Sequence, residues 1–146
     1  MGSIRNIAVG LPVKDGHVLV SESVDRVRGL RFHRAVGGGI EFGELAVEAL
    51  RREFREELEV ELDAAEPLGV LENLFVYEGV PGHEVVHVFT VRSAALDAVP
   101  LEAELVVLDE GSPVRWVPVD TTTPVFPEGI LDLLARHPPR FGPGTR

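Results

Sequence analysis

The chain has 146 residues, the length of one ordinary domain. Hydrophobic residues make up 45% and charged residues 26%, a globular composition that excludes a disordered tail, a collagen-like repeat and a fibrous coil. The formal net charge of −10 argues against nucleic acid as a partner, because such binding relies on basic patches. An acidic chain can still bind phosphate when a metal ion bridges the two negative partners. Cysteine is absent, so neither disulfides nor thiolate chemistry is available, which fits the cytoplasm. The N-terminal MGSIRNIAVG lacks the h-region of a signal peptide, and no apolar run is long enough for a membrane span.

In chain order, residues 4–13 are apolar and β-branched and read as a strand. Asp15-Gly16 is a hairpin signal, with His17–Ser21 as the return strand. Residues 31–36 read as a further short strand, broken by Gly37-Gly38-Gly39. Residues 44–58 form the one strong helix, free of Gly and Pro, with Glu44 opening it and Val47, Leu50, Phe54 and Leu58 along one apolar stripe. After Pro67, residues 69–79 and 83–93 read as two strands joined by a turn at Gly79–Gly82. Residues 94–112 read as a loop with one candidate strand, Leu105–Leu108, followed by a strand at 115–119. Pro127 opens a C-terminal helix to about Arg136, stopped by His137-Pro138-Pro139. The expected architecture is α/β, a mixed sheet with helices on its faces. A single domain over residues 1–140 and a frayed tail at 141–146, which lies outside the residues that the structure describes, are the expected organisation.

Glu53, Glu56 and Glu57 stand at i, i+3 and i+4 of the strong helix, within an arc of about 100°. Like charges at this spacing destabilise a helix by a few tenths of a kcal/mol per pair. One reading is a solvated face laced by Glu48–Arg52 and Arg52–Glu56 pairs. The other is an oxygen-ligand cage for Mg²⁺ or Mn²⁺, hard cations that turn the repulsion into attraction. The glycines before the helix favour the second, since they let phosphate or metal approach main-chain atoms.

The stretch Gly38-x5-Glu44-x7-Arg52-Glu53-Phe54-x-Glu56-Glu57-x-Glu59-Val60 resembles the Nudix box, G-x5-E-x7-R-E-U-x-E-E-x-G-U with U a bulky apolar residue. Eight of nine fixed positions match over 23 residues, which makes the resemblance specific; the exception is Glu59, where the family has Gly. Gly there suits a helix C-cap with positive φ; Glu would cost on the order of 1 kcal/mol in that conformation, the alternative being a remodelled helix end. Gly37 and Glu41 extend the likeness to the G-G-x-x-E-x-G-E form.

The resemblance implies a Nudix-type α/β/α sandwich. It also implies hydrolysis of the pyrophosphate bond in a nucleoside diphosphate linked to another moiety, such as a nucleoside triphosphate, a dinucleoside polyphosphate or a nucleotide sugar. Carried over by position, Glu53, Glu56 and Glu57 look like Mg²⁺ ligands, joined by the Gly38 carbonyl, with Mn²⁺ as an alternative ion. Glu53 also looks like the residue that activates water, and Arg52 and Glu44 like an orienting ion pair. Glu110-Gly111-Ser112-Pro113-Val114-Arg115-Trp116 resembles the E-G-x-P-x-x-W segment of MutT-type members, which makes Glu110 a further ligand candidate beside the plain reading of an acidic turn. Phe126-Pro127 resembles the start of the last MutT helix, but Ile130 stands where those proteins carry a base-reading Asn, so MutT-like guanine selectivity is not supported.

Candidate substrate-binding residues are Arg34, Glu41, Tyr77 and Glu84. Arg31, His33 and Arg34 alternate on the strand before the glycines, where one face could meet phosphate and the other reading is a solvated edge. Tyr77 follows Val60 by 17 residues, a spacing similar to the diadenosine-polyphosphate group of the family, with a core aromatic as the competing reading. His83-Glu84-Val85-Val86-His87 spells the zinc-protease signature H-E-x-x-H, but the flanks read as strand. On a strand, i and i+4 lie about 13 Å apart, too far to share one zinc. A Nudix-fold binding module without catalysis is the competing function. It is disfavoured because the carboxylates of the box are kept. A homodimer is a further expectation, since strand-rich Nudix folds commonly pair.

Overall fold

Asp15 and Gly16 adopt positive φ (48° and 72°), the geometry of a two-residue hairpin turn, and join β1 (Ile4–Lys14) to β2 (His17–Asp25). They belong to a computed structural model that describes residues 2–108 and 111–138. β3 (Leu30–Gly39) pairs with β2 through residues 30–35, then with β1 through residues 36–39. The glycine run therefore does not break the strand as the sequence suggested. It forms the part of β3 laid against β1, where a Cβ on Gly37 would run into the Ala8 carbonyl oxygen.

The helix α1 (Ala46–Leu58) follows, then β4 (Ala64–Tyr77) and β5 (Val80–Arg92). The β4–β5 turn is Glu78-Gly79, both at positive φ (50° and 83°), so Pro81 and Gly82 lie in β5 rather than in the turn expected at Gly79–Gly82. A short helix α2 (Ala94–Asp97) and β6 (Glu104–Val106) occupy the region read as a loop. β6 stops short of the expected Leu108, whose N–H donates to the Glu57 carbonyl of α1 at 3.0 Å instead of to a strand. β7 (Pro113–Pro118), β8 (Val125–Phe126) and α3 (Ile130–Arg136) complete the order. The last helix starts three residues later than the sequence suggested. Pro127 instead accepts a turn hydrogen bond from Ile130, and Gly129, at φ 89°, precedes the helix.

The strands form one mixed sheet in the order β4-β5-β1-β3-β2-β7-β6, with β8 beside β3. β1–β5 and β3–β8 are parallel and the other pairs antiparallel. Alternation along the strands makes two cores. Ala8, Leu19, Val36 and Trp116 pack with Leu50 and Phe54 of α1 on one face. Ile7, Val9, Val20, Val86 and Val88 pack with Ile130, Leu133 and Leu134 of α3 on the other. The result is the expected α/β/α sandwich. Trp116 is a core residue whose Nε1 donates to the Val99 carbonyl at 3.2 Å. Among the described residues, no helix is long and apolar enough to cross a membrane.

Two hairpin tips distant in sequence are clamped together by Asp25. Its fully buried carboxylate accepts the backbone N–H groups of Val27, Arg28 and Glu78, each at 3.0 Å, and Arg28 Nε at 3.2 Å. The Glu78 and Arg28 bonds hold its pKa below the usual value and keep it charged. Arg28 also donates to the Val76 carbonyl at 2.8 Å, which ties the β2–β3 turn to the end of β4.

α1 ends on Glu59 in the left-handed region (φ 57°, ψ 37°), with its N–H on the Arg55 carbonyl at 3.1 Å. An L side chain there is strained, whereas Gly is not. Glu59→Gly is expected to raise unfolding stability by about 1 kcal/mol, read as a higher urea midpoint at an unchanged slope.

Candidate active site

Gly38 and Gly39 end β3 with their α-carbons facing opposite sides of the sheet. On the α1 side, a Cβ on Gly38 would stand 2.5–2.7 Å from the Glu53 carboxylate atoms, so this contact is open only to glycine. Glu53 is thereby pressed against the main chain of β3, its side chain 14% exposed.

Arg52 braces this contact. Its Nε and Nη2 hold the two Glu44 oxygens at 2.7 and 2.9 Å, a two-pronged charge-assisted pair. Nη2 also donates to the Gly39 carbonyl at 3.0 Å, and Nη1 to Glu53 at 2.9 Å and Glu56 at 3.3 Å. One guanidinium thus joins the end of β3, the turn before α1 and the helix itself. Its hydrogen bonds to Glu44 and then Glu53 raise its pKa further and fix its charge. The Glu44 carboxyl is pulled down to about 2, first by Arg52 and then by the Glu41 N–H that donates to it at 3.0 Å.

Glu44 lies before the helix rather than opening it. Its engagement with Arg52 and Glu41 holds it in the turn, where its own N–H donates to the Glu41 carbonyl at 2.9 Å. Glu48 does not pair with Arg52; its carboxylate accepts the Leu45 N–H at 2.7 Å and closes the first turn of α1. Arg52–Glu56 is the member of the expected lacing that forms.

Gly38, Glu44, Arg52, Glu53 and Glu56 are therefore brought together. Glu57 follows on the half-buried end of the same helix, where its carbonyl receives the Leu108 N–H at 3.0 Å. That bond ties the segment leading to Glu110 to α1, while Glu110 itself lies outside the described residues. Among the described residues, no three His, Cys, Asp or Glu side chains are already disposed around a common metal position. Glu53 and Glu56 lean on Arg52 Nη1 instead. Glu56 is 59% exposed at its side chain, so turning it toward Glu53 and Glu57 is a rotamer change on the surface. A set of hard oxygen donors around a main-chain approach at Gly38 fits Mg²⁺ or Mn²⁺ chemistry.

The remaining candidates lie elsewhere. Arg34 is exposed on the Gly38 side of β3, four residues or about 13 Å away. Glu41 is exposed in the turn and acts on Glu44 through its backbone. Tyr77 lines a cleft of about 480 Å³ with Glu22, Arg31, Phe32, His33, Ser112 and others. Its ring meets Phe32 edge-on at 6.0 Å, Phe32 meets Phe126 at 5.2 Å, and its hydroxyl donates to the Val24 carbonyl at 3.3 Å. His33 is buried in that wall, and its Nδ1 has no hydrogen-bond partner among the described residues. Glu84 is not part of the helix cluster. It is buried in β5 on the α3 side and paired with Arg5 at 3.4 Å. His83 and His87 sit on β5, so their H-E-x-x-H spacing does not make a metal site.

Arg5 and Asp25 were not visible as functional candidates in the sequence. A lone Arg in a strand and an Asp before a turn carry no local signal. Their partners Glu84 and Glu78 lie 79 and 53 residues away.

The depressed Glu44 pKa has a definite sign. A carboxyl at about 2 in the folded chain, against an ordinary 4.5, adds stability that is complete above the ordinary value and lost as pH falls toward 2. The Tm difference between wild type and Glu44→Gln should be constant from neutral pH down to about 5 and shrink between about 4.5 and 2, as followed by thermal unfolding across that range.

Comparison with known proteins identifies the family and the fold. The NUDIX domain family profile matches residues 4–135. A MutT NUDIX hydrolase of Burkholderia pseudomallei has a similar structure (TM-score 0.64, 21% identity), covering 90% of this chain and 96% of its own. A NUDIX hydrolase of Nitrosomonas europaea gives a TM-score of 0.58 at 16% identity, covering 95% and 83%. A mutator MutT protein of Bacillus halodurans gives 0.58 at 19% identity, covering 90% and 80%. No curated protein matches the sequence. With the profile spanning nearly the whole domain and the fold shared, the chain belongs to the Nudix family.

Proposed function

We propose that this chain is a divalent-metal-dependent hydrolase of a nucleoside diphosphate linked to another moiety. The observation that carries the reading is the Glu53 carboxylate held on Gly38 by an Arg52 that Glu44 and the Gly39 carbonyl fix in place. A braced carboxylate beside a bare strand end is what a metal-assisted attack on phosphate needs.

Glu53, Glu56 and Glu57, with the Gly38 carbonyl, would hold Mg²⁺ or Mn²⁺, and Glu110 is the further ligand candidate. The bound ion would supply Lewis-acid polarisation of phosphate oxygens and a more acidic water. Glu53 would accept the proton of the attacking water, with Arg52 holding one of its oxygens at 2.9 Å. Arg52 and Glu44 act through Glu53 as positioning residues. The nucleoside end fits the cleft beside Tyr77 and Phe32, whose aromatic edges and faces suit a planar base. β3 runs from that cleft to Gly38, five residues or about 17 Å from His33, with Arg34 between them. This length favours substrates with a group at each end of the phosphate chain, such as dinucleoside polyphosphates or nucleotide sugars.

The test is a hydrolysis screen with Mg²⁺ and with Mn²⁺ over nucleoside triphosphates, ADP-ribose, nucleotide sugars, NADH, CoA and diadenosine polyphosphates. Turnover should require the metal and fall about 100-fold or more in Glu53→Gln. Equal rates in wild type and Glu53→Gln, or no metal bound at the glutamates, would replace the enzyme with a binding module. Gly38→Ala should keep the far-UV circular dichroism of wild type yet weaken Mn²⁺ binding, measured by titration calorimetry, at least tenfold. Its methyl group displaces the Glu53 carboxylate.

A further inference from the structure

The opposite face of the glycine pair carries a second charged group. β1, β5 and β4 are in register so that Arg5, Glu84 and Asn73 form one row across three strands. The row lies on the α3 side, the side of Ile7, Val86 and Leu71. Glu84 and Asn73 are buried, at 6% and 8% exposure. The Arg5 side chain is 58% exposed, and its Nη1 contacts Glu84 at 3.4 Å. Its Nη2 lies 3.4 Å from where a Cβ on Gly39 would stand.

We propose that Arg5 is a substrate-binding residue that contacts the diphosphate from the side of β3 opposite the glutamate cluster, and that Glu84 is its positioning residue. The inference rests on the hydrolase reading above and adds a phosphate contact to that site.

Three observations support it. The first is geometric. Glu53 lies against Gly38 on one face and Arg5 against Gly39 on the other, roughly 10 Å apart across the strand end. That is the reach of a diphosphate plus one metal–oxygen and one N–H···O distance. The second is the state of the neighbouring cations. Arg52 already serves Glu44, the Gly39 carbonyl, Glu53 and Glu56, and Arg34 is about 13 Å along the strand. Arg5 has one long contact and an exposed guanidinium, so it retains N–H donors for an anion. The third is the cost of Glu84. A carboxylate is seldom buried beneath a half-exposed partner for stability alone, since the exposed side of such a pair adds little. Its placement restricts the guanidinium to the side of Gly39 and so reduces what is lost on binding.

The experiment is titration calorimetry of the Mg²⁺-loaded protein with α,β-methylene-ADP, a diphosphate that cannot be cut. It is run on wild type, Arg5→Ala, Arg5→Lys, Glu84→Gln and the Arg5→Ala/Glu84→Gln double variant. Arg55→Ala serves as a control, because it loses the same charge from a pair with Glu61 on an exposed site. Arg5→Ala should weaken binding about 10- to 100-fold, the effect of one charge-assisted contact. Arg5→Lys should recover most of it, and Arg55→Ala should stay within twofold. Glu84→Gln should weaken binding in the presence of Arg5 and add nothing in its absence. With the best substrate of the screen, Arg5→Ala should raise KM by a similar factor and change kcat less than threefold. An Arg5→Ala protein that binds the probe within twofold of an active wild type overturns the inference and leaves the hydrolase reading intact. A wild type that neither binds the probe with Mg²⁺ nor turns over any substrate removes both.

Discussion

The arrangement depends on one guanidinium. Arg52 is 20% exposed, beside three glutamates and a strand carbonyl, and all of its contacts are made by groups that would otherwise repel one another or remain unpaired. A cation taken partly out of water is tolerated only when its donors are met with good geometry, and the two parallel hydrogen bonds to Glu44 meet that condition. The consequence is mechanical. The turn at 41–45, the end of β3 and the second turn of α1 are fixed to one another. Glu53 is therefore held on Gly38 by geometry set before any ligand arrives. Lysine at this position would supply the charge but not the fork that joins three segments.

A second constraint acts at the other end of β3. Asp25 collects donors from both of the turns that it joins, so the tips of the β2–β3 and β4–β5 hairpins close on each other. This closure sets Tyr77 beside Phe32 and walls the cleft that contains His33. β3 thus connects two rigid points. At one a buried carboxylate organises backbone amides, and at the other a half-buried guanidinium organises carboxylates. In the proposed function, a substrate laid along the strand would meet preformed surfaces at both ends, which lowers the cost of ordering them.

Local features were legible in the sequence because their determinants are local. The Asp15-Gly16 hairpin, the apolar stripe of α1 and the grouping of Gly38, Arg52, Glu53 and Glu56 all arise within a few turns or a single loop. At Glu59 the family Gly left two outcomes open, a left-handed residue or a remodelled helix end, and the chain takes the first. The boundaries shifted where side chains compete with the backbone. Glu44 stays out of the helix because Arg52 and Glu41 hold its carboxylate, and Glu78 takes positive φ because Asp25 holds its N–H. The glycine run looked like a strand breaker, yet its role is to let β1 and Glu53 approach, which only the three-dimensional partners reveal. The least legible features are the long-range ones. Arg5 meets Glu84 through the parallel β1–β5 pairing, whose register is set by the alternating cores on both faces and by no adjacent residue.

Charge provides the last link between composition and site. A chain of net charge −10 that acts on a polyphosphate must offset repulsion twice, at its own glutamates and at the substrate. Arg52 cannot serve the substrate, because its hydrogen bonds are committed to the fold. In the proposed function the helix cluster meets the phosphate through a metal, and the remaining positive contact comes from a strand outside the box. The diphosphate would then be held from both sides of the end of β3, by the metal cluster on the α1 side and by Arg5 on the α3 side, while the cleft would take what is attached. A substitution at Arg5 or Glu84 then weakens the hold on the diphosphate without disturbing the brace that keeps Glu53 on Gly38.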